Sequence, residues 1–363
     1  MKIIISGGGT GGHIFPAIAI ADAFKELHPE VEILFVGAES KLEMTAVPAA
    51  GYKIIGLDIG GFQRKFTWKN LLLVLRLMKS LVQSNKIISQ FKPDAVLGVG
   101  GYASGPVMKV ASWKKIPLFI QEQNSYAGVT NKLLASKVSK IFVAFEGMNK
   151  FFPKAELQLS GNPVRECFVH SVSKIDAYQY FGLDETKKTI AVCGGSLGAK
   201  TLNEVVLSKY EDIQRFENIQ LIVQVGKSYW KGIKSHPICN LKHVVMLPFI
   251  DRMEYVYAIS DVAITRAGAI TLSELAVTET VAMLVPSPNV AEDHQRKNAE
   301  SMVAEHAACM ILDVDAKDKL WSATMSLLEN ENKQKEIKEN LKRIRKPNAA
   351  NEIANEIINI ISK

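Results

Sequence analysis

Two runs of the chain place a glycine-rich turn directly behind a β-branched strand. The first is "KIIIS" (2–6), followed by Gly7-Gly8-Gly9-Thr10-Gly11-Gly12. The second is "TIAVC" (189–193), followed by Gly194-Gly195-Ser196-Leu197-Gly198-Ala199. Glycines in such a turn let backbone N–H groups approach a phosphate at a helix start, where the helix dipole favours negative charge. One such turn is weak evidence, because a plain tight turn uses the same residues. Two, each opening its own series of strands and helices, constrain the fold. They imply an α/β chain of two Rossmann-like domains with parallel sheets, facing across a cleft that holds a ligand.

The rest of the pattern agrees. In the first half, 2–6, 31–37, 52–57, 94–100, 117–121 and 140–145 read as strands, with helices near 15–27, 40–50, 68–91, 104–115 and 128–137. After "SGNPVRE" (160–166) the alternation restarts, with strands at 189–196, 219–226, 243–249, 261–265, 281–286 and 309–314. Strand–helix alternation of this kind builds parallel sheets covered on both faces. A length of 363 residues also calls for two domains. The expected domains are 1–162 and 163–347, with a semi-stiff hinge at Gly161–Arg165. A last helix at about 348–363 would return to pack on the first domain.

Gly7, Gly9 and Gly12 also satisfy G-x-G-x-x-G, the dinucleotide fingerprint. A nicotinamide enzyme needs an acid at the end of the second strand, roughly 20 residues past the glycines, to bind a ribose. Here that strand ends "LFVGAES", and Gly37 stands where the acid is expected; Glu32 is too early and Glu39 lies past the strand. The fingerprint instead delivers His13 to the start of a helix. A histidine there suits a general base, or simply caps or packs.

No apolar run reaches the length of a membrane span; the longest, Leu71 to Met78, is broken by Arg76. "MKIIIS" reads as a first strand rather than a signal peptide. Cys167, Cys193, Cys239 and Cys309 fit no zinc spacing and read as reduced, buried thiols of a cytoplasmic protein. The net charge of +7 is concentrated: no acid lies between Asp58 and Asp94, a stretch with Arg64, Lys65, Lys69, Arg76, Lys79, Lys86 and Lys92. A local excess favours a docking patch over general nucleic-acid binding. At about 100° per residue, Lys69, Arg76, Lys79, Gln83, Lys86 and Gln90 share one face of helix 68–91. Leu72 falls within that face, and Trp68 and Leu75 at its edge. Basic residues interleaved with exposed apolar ones suit an anionic membrane surface, while the Leu-rich side would pack on the sheet.

Eight motifs then occur in order along nearly the whole chain: "GGGTGGHIFPA" (7–17), "VLGVGGYASGP" (96–106), "QEQNSYAGVTNKLLA" (121–135), "GNPVR" (161–165), "GGSLGA" (194–199), "FIDRM" (249–253), "TRAGAITLSELA" (265–276) and "PSPNVAEDHQRKNA" (286–299). With them the chain resembles the peptidoglycan N-acetylglucosaminyltransferases of glycosyltransferase family 28, the MurG family. The resemblance implies the GT-B architecture. It also implies inverting transfer of GlcNAc from UDP-GlcNAc to undecaprenyl-diphospho-MurNAc-pentapeptide (lipid I), giving lipid II, at the cytoplasmic face of the bacterial inner membrane.

Carried over by motif, the donor contacts are Thr10, Gly11, Gly12, Asn124, Arg165, Ser196 on the diphosphate, Ile250 at the uracil, Arg266, Ala269, Ile270, Thr271, Leu272, Ser273, Glu274 on the ribose, and Gln295 on the GlcNAc hydroxyls. Gly8, Gly9, His13, Gly100, Gly101, Tyr102 and Ser104 fall to the acceptor. His13 is the expected base, with Glu122 competing; Glu122 could instead only hydrogen-bond within its loop. Leaving-group charge would fall to helix N-termini and Arg266 or Arg165. The resemblance calls for no obligatory metal or cofactor, and Asp313-Val314-Asp315 reads as a chance D-x-D. Partners would be UDP-GlcNAc, lipid I, the anionic membrane and other cell-wall synthesis proteins, without nucleic acid. The chain departs from the family at Gln121, where histidine is usual, at Val225, where threonine is common, and at Glu279-Thr280-Val281, which replaces a Gly-Lys-Pro-like turn and is expected to loosen that loop. The competing readings are another GT-B enzyme on UDP-GlcNAc, such as an epimerase or soluble-acceptor transferase, and a non-catalytic membrane scaffold that binds a nucleotide sugar.

Overall fold

The computed structural model describes the chain except Ser40, residues 60–67 and Ser196, and describes the backbone alone at 68–74 and 291. The expected diphosphate contact Ser196 and the basic residues Arg64 and Lys65 lie outside the described residues, as do the side chains of Trp68, Lys69 and Leu72.

Among the described residues the strands form two sheets, one in each of two compact units. The first unit comprises Met1–Arg165 and Lys346–Lys363, the second Glu166–Arg345. The first sheet contains β1 (Lys2–Ser6), β2 (Glu32–Ala38), β3 (Lys53–Leu57), β4 (Ala95–Gly98), β5 (Leu118–Glu122), β6 (Lys140–Val143) and β7 (Leu157–Leu159). Its order is β3-β2-β1-β4-β5-β6-β7, parallel throughout. The second contains β8 (Lys188–Cys193), β9 (Ile219–Gln224), β10 (Val244–Leu247), β11 (Val262–Thr265), β12 (Ala282–Leu284) and β13 (Cys309–Met310), in the order β10-β9-β8-β11-β12-β13, again parallel. Each sheet reverses its direction of winding beside its first strand, between β1 and β4 and between β8 and β11. Such a switch point leaves a crevice at the carboxyl ends of the strands, where ligands bind. Both glycine turns stand there.

Parallel strands covered on both faces read as unbroken apolar runs, and β1 shows why. Ile3 and Ile5 pack to one side with Ile14, Ile20 and Phe24 of the helix Gly11–Leu27. Ile4 packs to the other with Val107 and Met108 of the helix Ser104–Trp113. The last helix, Ala349–Ile361, buries Ile353, Ala354 and Ile357 in the cluster that holds Gly11–Leu27. Lys140 secures it by an ion pair to Glu356 at 2.5 Å.

Two expectations need correction. Residues 161–164, read as a hinge, are buried in the first unit, where Asn162 Nδ2 donates to the Gln123 carbonyl and Gln121 Nε2 donates to Asn162 Oδ1. The chain therefore passes between the units at Arg165–Glu166 and Arg345–Lys346. Of the four cysteines Cys193 is buried, while Cys167, Cys239 and Cys309 are half-buried.

Candidate functional site

In the first unit the glycine turn leaves β1 and crosses to the end of β4. Gly101 has φ +85°, and a Cβ there would collide with the Gly8 carbonyl, so the turns after β1 and β4 touch backbone to backbone. The turn's first N–H groups are engaged inside the protein: Gly7 donates to the Val36 carbonyl at 3.1 Å and Gly8 to the Gly100 carbonyl at 3.2 Å. Gly9 donates to Glu43 Oε2 at 2.8 Å. Gly8 and Gly9, expected at the acceptor, thus have their N–H groups turned inward.

The helix Gly11–Leu27 follows without a side-chain cap, and His13 N and Ile14 N both donate to the Thr10 carbonyl, at 3.1 and 3.2 Å. His13 is half-buried in its first turn. Thr10 Oγ1 lies 2.9 Å from His13 Nδ1, and the Nε2 edge of the ring lies over Gly100, whose Cβ, if present, would be 3.1 Å away. Glu122, the competing base, is 1% exposed. One of its oxygens accepts from Asn124 N at 3.1 Å, the other from Gly128 N at 2.9 Å and Asn131 Nδ2 at 2.8 Å. The carboxylate organises its own loop. Tyr102 is exposed, whereas Ser104 is buried and donates to the Gly101 carbonyl at 2.9 Å.

In the second unit the turn after β8 is equally tight. Gly198, at φ +76°, packs directly on the Val225 carbonyl after β9. After β11, Gly268 precedes the helix Ala269–Val277, whose start carries no side-chain cap and whose dipole favours negative charge there. Glu274 is half-buried in this helix, and Tyr257 Oη donates to it at 3.4 Å. Cys193, at the end of β8, is close enough to feel that carboxylate: burial first and the Glu274 charge second push its thiol up to about 12. Leu272 points into the core with its N–H donating to the Gly268 carbonyl at 3.0 Å, and Ser273 Oγ donates to the Ala269 carbonyl. Ile250 is buried. Gln295 Oε1 accepts from Ser287 N at 2.8 Å, just after Glu292 and Asp293, which sit consecutively at φ +53° and +55°. Two non-glycine residues in the left-handed region mark stored strain.

Arg266 is held within this unit: Nη1 donates to the Val285 carbonyl at 3.0 Å and to Asp313 Oδ1 at 2.5 Å. Thr201 Oγ1 donates to the other Asp313 oxygen at 3.1 Å. Asp315 pairs with Lys319 at 3.1 Å. The D-x-D read as chance therefore contains a structural anchor, Asp313, that neutralises Arg266.

Sequence comparison now bears on this geometry. The family model for the glycosyltransferase family 28 N-terminal domain matches residues 3–143, and that for the family's C-terminal domain matches residues 189–354. The chain belongs to glycosyltransferase family 28. A relative from Parabacteroides distasonis is 48% identical, with 100% of this chain and 99% of that protein covered. One from Flavobacterium psychrophilum is also 48% identical, with 99% and 98% covered. Both are named UDP-N-acetylglucosamine--N-acetylmuramyl-(pentapeptide) pyrophosphoryl-undecaprenol N-acetylglucosamine transferase. The crystal structure of Acinetobacter baumannii MurG superposes with a TM-score of 0.79 at 26% identity, covering 99% of each chain. The two parallel α/β sheets expected from the alternation, and the GT-B fold implied by the resemblance, are thereby established.

The departure at Glu279-Thr280-Val281 does not loosen its loop. Glu279 takes the left-handed conformation a glycine would favour, at φ +52°. Arg345 pairs with it at 2.6 Å, and Thr278 and Thr280 bond each other through their hydroxyls at 2.8 Å. At Gln121 the amide tethers Asn162, giving that position a structural role. On the helix Trp68–Phe91 the packed face also differs from expectation. It buries Ser80 and Ser84 with Ile87 and Ile88, and leaves Leu75, Met78 and Val82 61–72% exposed beside Lys79 and Lys86. Glu43, Met78 and Val82 were not singled out in the sequence. The signal for Glu43 was faint: an acid six residues past Gly37, opening a helix.

Proposed function

We propose that this chain transfers GlcNAc from UDP-GlcNAc to the MurNAc 4-hydroxyl of lipid I, forming lipid II with inversion at the anomeric carbon. The observation that carries the reading is full-length identity of 48% with relatives named for that transfer. We assign the roles by motif position. In the second unit the start of helix Ala269–Val277, where the helix dipole is positive, takes the donor diphosphate and stabilises the charge on departing UDP. Glu274 accepts from the ribose hydroxyls, Gln295 holds the sugar, Ile250 borders the uracil and Ser196 adds to the diphosphate site. In the first unit His13 is the base. It stands half-exposed at a helix start with Nδ1 on Thr10, whereas the oxygens of Glu122 are already filled by its own loop. A base with Nδ1–H directed at Thr10 presents Nε2 to the 4-hydroxyl proton.

The acceptor is lipid-linked, and the first unit carries a fitting surface. Leu75, Met78 and Val82 recur at helical spacing with Arg76, Lys79 and Lys86 around them. This stripe docks peripherally on an anionic membrane at the cytoplasmic face of the inner membrane. No helix among the described residues is long and apolar enough to cross a membrane.

Radiolabelled GlcNAc transfer from UDP-GlcNAc to a lipid I analogue tests the reading. Wild-type protein should form the disaccharide product. His13→Ala should lose about 10²–10⁴-fold in kcat, as expected for removal of a general base, while still binding UDP. No product from wild-type protein would refute the assignment; full activity in His13→Ala would refute the role of His13.

A further inference from the structure

Glu43 takes no part in that transfer scheme, yet its carboxylate is fully enclosed against the glycine loop that carries His13. It is 0% exposed. It accepts N–H bonds from Gly9 at 2.8 Å and from Ala38 at 2.9 Å. A Cβ on Gly8 or on Gly37 would run into it. Among the described residues no Lys, Arg or His lies within ion-pairing distance of it. A carboxylate survives burial without a cation only where fixed N–H dipoles take over the work of water. In a Rossmann-type turn those same dipoles meet the phosphate of an incoming ligand. Here Gly7 and Gly8 point at carbonyls, and Gly9 points at Glu43.

We propose that Glu43 is a built-in anion that fills the phosphate place of the first glycine turn, holding it as a rigid mount for Thr10 and His13 and closing it to phosphate. Glu43 is a positioning residue: it acts through Gly9, one residue before Thr10, which in turn contacts the His13 ring. The turn becomes a scaffold, and a phosphate is met only beyond it, at the helix start from Thr10 to Gly12. Gly37 belongs to the same device. An acid there would serve a ribose, whereas glycine leaves room for the Glu43 side chain.

The kinetic part of this inference rests on the transfer reading; the anion part does not. The test compares Glu43→Gln and Glu43→Ala with wild type, first by transfer kinetics. Both variants should lose about tenfold to a hundredfold in kcat, the scale expected when a reacting group is displaced by an ångström, with KM for UDP-GlcNAc within about twofold. Millimolar formate should restore part of the kcat of Glu43→Ala, and equimolar formamide should not. In thermal-shift measurements, formate should raise the Tm of Glu43→Ala and leave wild type unchanged, and inorganic pyrophosphate should raise the Tm of Glu43→Ala by more than that of wild type. A folded Glu43→Gln with wild-type kcat overturns the proposal, as does rescue by formamide equal to that by formate. Inactive wild-type protein would count against the transfer reading alone, because the thermal-shift arm needs no turnover.

Discussion

Thr10→Val asks whether the 2.9 Å contact between Thr10 Oγ1 and His13 Nδ1 matters to the reaction. If Nε2 removes the acceptor proton, Nδ1 carries hydrogen and donates to Thr10. In the ground state this is an ordinary hydrogen bond, worth about 0.5–1.5 kcal/mol net. As the proton arrives, the ring becomes a cation and the same bond is charge-assisted, worth about 1.5–3 kcal/mol. Only the difference, about 1–2 kcal/mol, lowers the barrier, which corresponds to about 5- to 30-fold in kcat. Valine matches threonine in shape, so the extended backbone at Thr10 is preserved. Thr10→Ser keeps the hydroxyl and should hold kcat within a few-fold. Steady-state kinetics with UDP-GlcNAc and a lipid I analogue, at saturating concentrations of each, measure the effect. A Thr10→Val enzyme with wild-type Tm and kcat within twofold of wild type would refute the orienting role. So would equal losses in the valine and serine variants.

Glu274→Gln should weaken UDP binding by about 1.5–3 kcal/mol, the worth of hydrogen bonds to a charged acceptor, read by titration calorimetry; unchanged affinity would remove Glu274 from the ribose. Cys193 predicts alkaline sensitivity of the second unit. Its thiol is raised from 9.0 to about 12 in the fold, so the stabilisation is complete below pH 9, declines as pH rises above it and is gone past about 12. The span of three pH units corresponds to about 4 kcal/mol. Urea melts at pH 8 and pH 10.5 should show wild type losing about 2 kcal/mol more than Cys193→Ala, and parallel losses would exclude the thiol as the cause. Leu75→Glu combined with Val82→Glu should abolish co-sedimentation with anionic vesicles while leaving transfer to a soluble acceptor analogue intact; unchanged vesicle binding would place the docking surface elsewhere.

The legible part of this fold was carried by local signals. The β-branched runs at 2–6 and 189–193 and the glycines behind them announced both sheets, because a central parallel strand must be apolar on both sides. The strand Leu157–Leu159 went unread: three residues at a sheet edge leave no periodicity to count. What sequence could not show depended on distant residues meeting. Asp313 reaches Arg266 across 47 positions, and Arg345 reaches Glu279 across 66, so one motif residue was neutralised and one suspect loop was secured. Helix 68–91 misled for a different reason. Its hydrophobic pattern would bury leucines, but tertiary packing turned Ser80 and Ser84 inward, with Ser80 Oγ donating to the Arg76 carbonyl at 2.8 Å. Tertiary context overrides local pattern in this way where a neighbouring helix decides which face is covered.

The helix Ala349–Ile361 sets an order of events during synthesis. It supplies Ile353, Ala354 and Ile357 to the core beneath the helix that begins beside His13. Those residues are made after the whole of the second unit. A ribosome-bound chain can therefore complete the second unit, which is continuous from Glu166 to Arg345, while the first still exposes the apolar flank of Gly11–Leu27. Domains fold as units when their residues have emerged, and this one is finished only once 349–361 has emerged. Stalled or C-terminally clipped chains would keep a folded second unit and lack a firm seat for His13.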